Sequence, residues 1–337
     1  MRWRGAPRGP AAFALSSGAV PTSIRTIAVT PDHSATVSDQ TPPRADFGRV
    51  TVFFGDKNGK YPDGNQVVVR GTDTRVVFDS PPVANRIGPE FDDADLVVLG
   101  HVHEDHMAGL HRLPGVPVHV HMADLDALRS WEGLARHYGV AAHRQAAMRA
   151  KIERDYHYQA RPDAIGYADG AVWELGGSRV RAFHMPGHTA GHTVLLVEPE
   201  GVAFIGDIDL TGFGPYYGDA TSSLADFRSS LARLPEIPAK VWVTSHHRGV
   251  YTDRSVMLAA LAAFSAKLDE REQRLLDLLA QQPRTLEQLV ACRLMYPPDY
   301  EEIWVEDAER RSISQHLDEL LASGAVVADD SRHFHRR

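Results

Sequence analysis

The sequence predicts a mixed α/β domain followed by a smaller helical module. From Arg49 onward, short β-branched runs alternate with turn residues. A stretch rich in Ala, Leu, Arg, Glu and Met, about Asp124 to Gln159, interrupts them with helical character. From about Leu268 the chain reads as three helices and a hairpin.

Strands are expected at Val50 to Phe54, Gln66 to Arg70 and Thr74 to Phe78, because Asp, Asn, Gly and Pro punctuate the chain between them. Leu96 to Leu99 reads as a buried strand stopped by Gly100, and Val116 to His121 as the next. The helical insertion is expected near the mouth of any site, with His137, His143 and His157 on solvated positions. Further strands are expected at Val172 to Leu175, Arg179 to His184, Val194 to Val197, Val202 to Gly206 and Lys240 to Thr244, with a helix from Ser222 to Arg233.

The closing module, residues 267–337, should contain helices at Leu268 to Leu279, Leu286 to Ala291 capped by Thr285, and Ala308 to Leu321. A hairpin around Asp329 and Asp330 follows, which suggests a winged-helix arrangement. Fifteen acidic against nine basic side chains from Leu268 onward disfavour a DNA-reading role. Packing or formation of a homodimer is the expected use.

At 337 residues the length suggests about two domains. The net charge of -8 argues against a chain built to hold nucleic acid. A single cysteine, Cys292, excludes a disulfide framework and a cysteine-rich zinc site, and suits a cytoplasmic protein. No apolar run reaches the length of a membrane span. Residues 1–46, rich in Ala, Pro, Ser, Thr and Arg, are read as a disordered extension, with a signal or transit peptide as the lesser alternative.

The chemistry is concentrated in His101-Val102-His103-Glu104-Asp105-His106, directly after the apolar strand. Such a loop can turn several side chains onto one point. His101 and His103 offer neutral imidazole nitrogens to one divalent ion, and Asp105 and His106 face a second position. More donors stand at later strand ends: His184, His188 and His192 in a Pro/Gly-shaped turn, Asp207 after Phe204 to Gly206, and His246 and His247 after Trp242 to Ser245.

This combination resembles the metallo-β-lactamase superfamily over roughly residues 48–265, within a catalytic domain of residues 47–266. The resemblance implies an αββα sandwich with the site at one edge. It implies that His101, His103 and His188 hold a first metal, that Asp105, His106 and His246 hold a second, and that Asp207 bridges them. His184 and His192 are then supporting residues, and Asp79, ending its strand, orients a ligand histidine. The doublet leaves both His246 and His247 as candidates, with His246 the expected one.

The resemblance further implies two zinc ions per chain about 3.5 Å apart, or iron or manganese on the same donors, sharing a hydroxide nucleophile. Asp105 accepts its proton. A bridging Asp207 fits hydrolases of thioesters, lactones and phosphodiesters rather than antibiotic hydrolases. The expected activity is cleavage of a small acyl substrate, a thioester of the hydroxyacylglutathione kind or a related ester or lactone. Tyr216 and Tyr217, just after Asp207, are candidates for substrate binding. The alternative is a metal-dependent endoribonuclease of the same fold, against which stand the acidic tail and the lack of a Lys/Arg run. An iron-dependent sulfur dioxygenase would use fewer ligands.

Overall fold

Alternation along the strand runs decides the architecture, because each strand sends one face of Val, Phe and Leu side chains to each side of its sheet. In the computed structural model, which describes residues 41–337, the runs form two sheets. The first has seven strands in sequential order: β1 (Arg44–Phe47), β2 (Val50–Phe53), β3 (Gln66–Arg70), β4 (Arg75–Phe78), β5 (Leu96–Val98), β6 (Val118–His121) and β7 (Ile165–Tyr167). Strands β1 to β4 are antiparallel, whereas β4 to β7 pair in parallel. The second sheet contains β8 (Val172–Glu174), β9 (Arg179–His184), β10 (Thr193–Glu198), β11 (Val202–Phe204), β12 (Val241–Val243) and β13 (Val250–Tyr251), in the order β13-β12-β11-β10-β9-β8.

Val52, Val67, Val69, Phe78 and Val98 from the first sheet meet Val180, Leu195, Val197, Phe204 and Val243 from the second in one buried layer. The outer face of the first sheet, with Val68, Val77 and Val97, packs on α1 (Leu125–Arg129), α2 (Trp131–Tyr138) and α3 (Ala142–Tyr156) through Leu128, Leu134, Met148 and Ile152. The outer face of the second sheet carries Val194, Leu196 and Trp242 against α4 (Leu224–Arg233) and the first half of α5 (Arg254–Gln281). The order of layers is αββα, as the resemblance implies. At about 25 cal/mol per Å² of apolar surface, closure of three such layers is the main stabilising term.

Most strand positions match the sequence reading, with ends shifted by one or two residues. Three edge strands lack a sequence signal. Strand β1 carries the polar pattern of Arg44 to Phe47 and is held by pairing with β2. The folded chain therefore begins before residue 47, and the rest of the expected extension, residues 1–40, lies outside the described residues. Strands β7 and β13 are only three and two residues long.

The three C-terminal helices and the hairpin are present: α5, α6 (Leu286–Ala291) with the expected Thr285 cap, α7 (Val305–Ala322), and β14 (Val326–Ala328) paired with β15 (Phe334–Arg336). They share a small core of Leu275, Leu279, Leu289, Ile313, Leu317 and Val326. The expected start near Leu268 falls inside α5, a single 28-residue helix whose first half packs on the second sheet. The described residues, 41–337, accordingly form one compact unit. No helix among the described residues is long and apolar enough to cross a membrane.

Candidate metal centre

Parallel pairing of β4 with β5 and of β11 with β12 puts the C-terminal ends of these strands side by side. The histidine loop follows β5, and Asp79 closes β4. Asp79 Oδ1 accepts the Gly100 N–H at 2.6 Å, while the Gly100 carbonyl accepts the Thr193 N–H at 2.8 Å, tying the loop to both sheets. His188 stands in the β9–β10 turn. Gly187 there has φ of 134°, and a side chain at that position would run into the backbone of Phe227. Asp207 follows β11 and His246 follows β12.

These residues converge on two adjacent clusters. In the first, His101 Nε2, His103 Nδ1 and His188 Nε2 lie 3.1 to 3.2 Å from one another, with Asp207 Oδ2 3.3 Å from His188 Nε2. In the second, His106 Nε2 is 3.1 Å from Asp207 Oδ1 and 3.6 Å from Asp105 Oδ2, and His246 Nε2 is 3.0 Å from Asp105 Oδ2. Asp207 thus presents one oxygen to each cluster. All seven expected ligand residues are brought together.

The outer hydrogen bonds of the imidazoles reveal what their inner nitrogens offer. His103 Nε2 donates to Asp219 Oδ2 at 2.6 Å, His188 Nδ1 to the Tyr216 carbonyl at 3.0 Å, His106 Nδ1 to Asp79 Oδ2 at 2.7 Å, and His246 Nδ1 to the Asp63 carbonyl at 2.8 Å. Each of these four rings, when neutral, therefore points a bare lone pair inward. Asp105 Oδ2, His106 Nε2, Asp207 Oδ1 and His246 Nε2 are all buried and make no hydrogen bond. Lone pairs and carboxylate oxygens facing one another in a dry pocket repel unless positive charge lies between them.

The electrostatics agree. Against burial, which opposes charge, the carboxylates of Asp207 and Asp209 push His246 up to about 10, and Asp219 pushes His103 up to about 9. Burial and the neighbouring His106 hold His101 well below the usual imidazole range. The site fits cations. Tetrahedral ligands about 2.0 to 2.1 Å from a zinc-class ion are about 3.3 Å apart, close to the spacing in the first cluster.

Asp79 is buried against His106, the position expected of an orienting residue. His192 and His184 stand outside both clusters. His192 Nδ1 donates to the Met185 carbonyl and its Nε2 accepts the Asp207 N–H at 3.2 Å; His184 Nε2 donates to the Ala190 carbonyl. His247 has φ of 58° and is only partly buried, its ring centroid 6.2 Å from that of His246, which is buried in the second cluster.

Two expectations need correction. Tyr217 is fully buried and its hydroxyl donates to His316 Nε2 at 2.7 Å, so it packs its loop and does not face a substrate. Tyr216 does border the first cluster, its ring 5.7 Å from that of His188 and its hydroxyl donating to Asp219 Oδ1. His137 is buried rather than solvated, between Asp124 and Thr221, because α2 packs directly over the histidine loop; His143 and His157 are exposed as expected.

Several functional residues carried no sequence signal. Asp219 orients His103. Asp124 accepts the Val102 and Gly191 N–H groups and the Thr189 hydroxyl, bracing two of the loops that carry histidines. Glu104 is buried and accepts hydroxyls from Tyr138 and Tyr61, while Tyr156 donates to Tyr61 at 3.2 Å. These tyrosines bring the helical insertion up to the site. A surface groove of about 760 Å³ lies elsewhere, lined by α3 and the C-terminal module, and its Arg144, Arg293 and Arg310 are all paired with acidic side chains.

The metallo-β-lactamase superfamily model matches residues 61–246, more than half of the chain and the whole of the site from Asp79 to His246. The chain belongs to the metallo-β-lactamase superfamily. Among curated relatives, an atrochrysone carboxyl ACP thioesterase of Pseudocercospora fijiensis is 29% identical over 181 residues, 53% of this chain and 51% of that protein. An acyl-coenzyme A thioesterase of Bos taurus is 28% identical over 203 residues, 52% of this chain and 70% of that protein. The match to the first of these spans only about half of its length. A metallo-β-lactamase family protein of Thermus thermophilus has a similar structure, with a TM-score of 0.62 and 25% identity over 82% of this chain and 95% of its own. The chain thus combines membership of this superfamily with His/Asp clusters able to hold metal.

Proposed function

We propose that this protein is a hydrolase that cleaves a small acyl thioester, or a related ester or lactone, with two zinc-class ions held by the paired clusters. The observation that carries the reading is Asp207, whose two oxygens face two sets of inward lone pairs. Thioesterase names among the relatives support the substrate class. Weaker support comes from a hydroxyacylglutathione hydrolase of Maricaulis maris, 32% identical over 92 residues, 27% of this chain and 34% of that protein.

His101, His103, His188 and Asp207 would hold one ion and Asp105, His106, His246 and Asp207 the other. Bound there, the ions supply a water-derived nucleophile at neutral pH and polarise the scissile carbonyl. Asp105, kept anionic by His106 beside it despite its burial, takes the proton of the attacking water on its carboxylate. The acyl carbon gains the water oxygen and loses the sulfur, which departs as a thiolate and requires no strong acid. Tyr216 lines the approach to the first cluster. The C-terminal region, read as winged-helix-like, serves as a brace and not as a nucleic-acid platform, and the protein works in the cytoplasm.

Metal analysis of purified protein, followed by a panel of thioesters, lactones and RNA, tests this reading. Two ions per chain and turnover of acyl substrates with weak salt dependence are expected. RNA cleavage with steeply salt-sensitive binding and no acyl hydrolysis would instead establish a nuclease.

A further inference from the structure

The C-terminal helix α7 grips the loop that carries Asp219: Gln315 donates to the Tyr217 carbonyl, His316 accepts the Tyr217 hydroxyl, and Arg311 reaches one residue further toward the metal pocket. Arg311 donates to the Gly139 carbonyl and, through Nη1, to the Gly218 carbonyl at 3.0 Å. Each of these glycines is the immediate neighbour of a residue that holds His103. Tyr138 precedes Gly139, and its ring stacks on that of His103 with centroids 5.6 Å apart and planes within 5°. Asp219 follows Gly218 and accepts His103 Nε2–H at 2.6 Å. The guanidinium fork therefore joins two segments that are 79 residues apart and that also meet at His103 and at His137, whose carbonyl accepts the Ala220 N–H at 3.1 Å and whose Nδ1 lies 3.0 Å from Thr221 Oγ1.

The packing around this fork is close. Gly139 has φ of 63°, and an added Cβ would meet Arg311 Nη2 at 2.6 Å; at Gly218 an added Cβ would meet Ala308 Cβ, one turn earlier on α7, at 2.6 Å. Two glycines let the helix approach backbone that a side chain would block. The loop carrying Asp219 has no regular structure between β11 and α4, so its position is set by what grips it. A guanidinium suits the task, because its planar fork can satisfy two carbonyls at once and stays charged.

We propose that Arg311 is a positioning residue for the first metal cluster: by clamping Gly139 and Gly218 it sets the Tyr138 stack and the Asp219 hydrogen bond that aim His103 Nδ1 inward. The proposal rests on the reading that this cluster holds an ion. It gives the C-terminal helices a part in the site itself.

The test uses the full chain and compares Arg311→Gln, Arg311→Lys and, as control, Arg310→Gln, which removes a charge one residue away that pairs with Glu287 and Glu306. Zinc affinity is read for each ion by chelator competition, alongside the electronic spectrum of the cobalt-substituted protein and the thermal midpoint of the metal-free form. Loss of a partner that orients a metal-bound histidine typically costs about tenfold to a hundredfold in affinity. R311Q is expected to lose that much at one ion only and to change the cobalt spectrum, while R310Q matches the parent protein. Lysine reaches one carbonyl but not both, so R311K should fall between them and serves if R311Q does not fold. In an Asp219→Ala background the effect of R311Q should largely vanish, since the two then act through the same histidine. Equal affinities in R311Q and the parent, or equal losses at both ions, overturn the proposal. A parent protein that binds no zinc would overturn the metal reading instead, and the two failures are distinguishable because the parent is titrated first.

Discussion

Asp79 Oδ2 lies 2.7 Å from His106 Nδ1, and its other oxygen accepts the Gly100 N–H, so one buried carboxylate sets both the tautomer of His106 and the start of the loop that carries it. Replacing it by Asn keeps the acceptor for Gly100 but can offer an N–H to His106. Asp79→Asn should weaken one metal ion by about tenfold to a hundredfold in chelator competition. Unchanged affinity would show that His106 needs no such partner.

Asp207→Ala should lower the metal content toward one ion or none and abolish most of the activity, because both clusters lose an oxygen together. His184→Ala removes a bond to the Ala190 carbonyl and a stack on the His121 ring, both outside the two clusters, and should keep both ions. Elemental analysis of the two variants side by side is the measurement, and equal metal loss would contradict the arrangement.

The histidine doublet gives an unequal pair. His246→Ala should release one ion, whereas His247→Ala should retain two and keep its turnover within a few-fold of the parent. Gly or Asn at position 247 should even be tolerated better than Ala, since φ there is 58°.

Tyr217→Phe should cost about 1 kcal/mol or somewhat more, because it leaves His316 Nε2 buried without its donor. Its kcat and KM should stay near those of the parent. Urea unfolding and steady-state kinetics on one preparation separate the two effects.

His316 links stability to acid. Burial, with Arg228 and Arg271 nearby, holds it down to about 3, against about 6.5 in an unfolded chain. Above pH 6.5 it is neutral in both states and contributes nothing. As the pH falls through 6.5 only the unfolded chain takes up the proton, so stability is lost progressively until about pH 3. By pH 5 this amounts to about 2 kcal/mol. The drop in unfolding free energy from pH 7 to pH 5 should be smaller by about that amount in His316→Gln than in the parent. Equal drops would place the imidazole in a more polar setting.

What the sequence by itself determined is the chemistry that short range can carry. A strand of β-branched residues stops at Gly100, and the next six residues can reach a common point without help from elsewhere, so His101, His103, Asp105 and His106 were legible as a donor set. Asp207 and His246 could be read in the same way, as polar residues directly after apolar runs. Most strands were legible too, because a half-buried or buried strand must repeat its apolar face.

Only the tertiary structure decided what depends on contacts between distant segments. Asp219 looks like any loop aspartate until the fold brings it to His103, 116 residues away in the chain. The local sequence favours His246 over His247 but leaves both as candidates; the backbone turn and the carbonyls of Gly59 and Asp63 choose between them. Tyr217 read as a candidate for substrate binding and His137 as a solvated helix position, and both become buried because α5, α7 and α2 close over them. Strand β1 forms from a polar segment because β2 offers it an edge. In each case the deciding energy lies in hydrogen bonds and packing between parts of the chain that have no common pattern, and a pattern is all that one sequence displays.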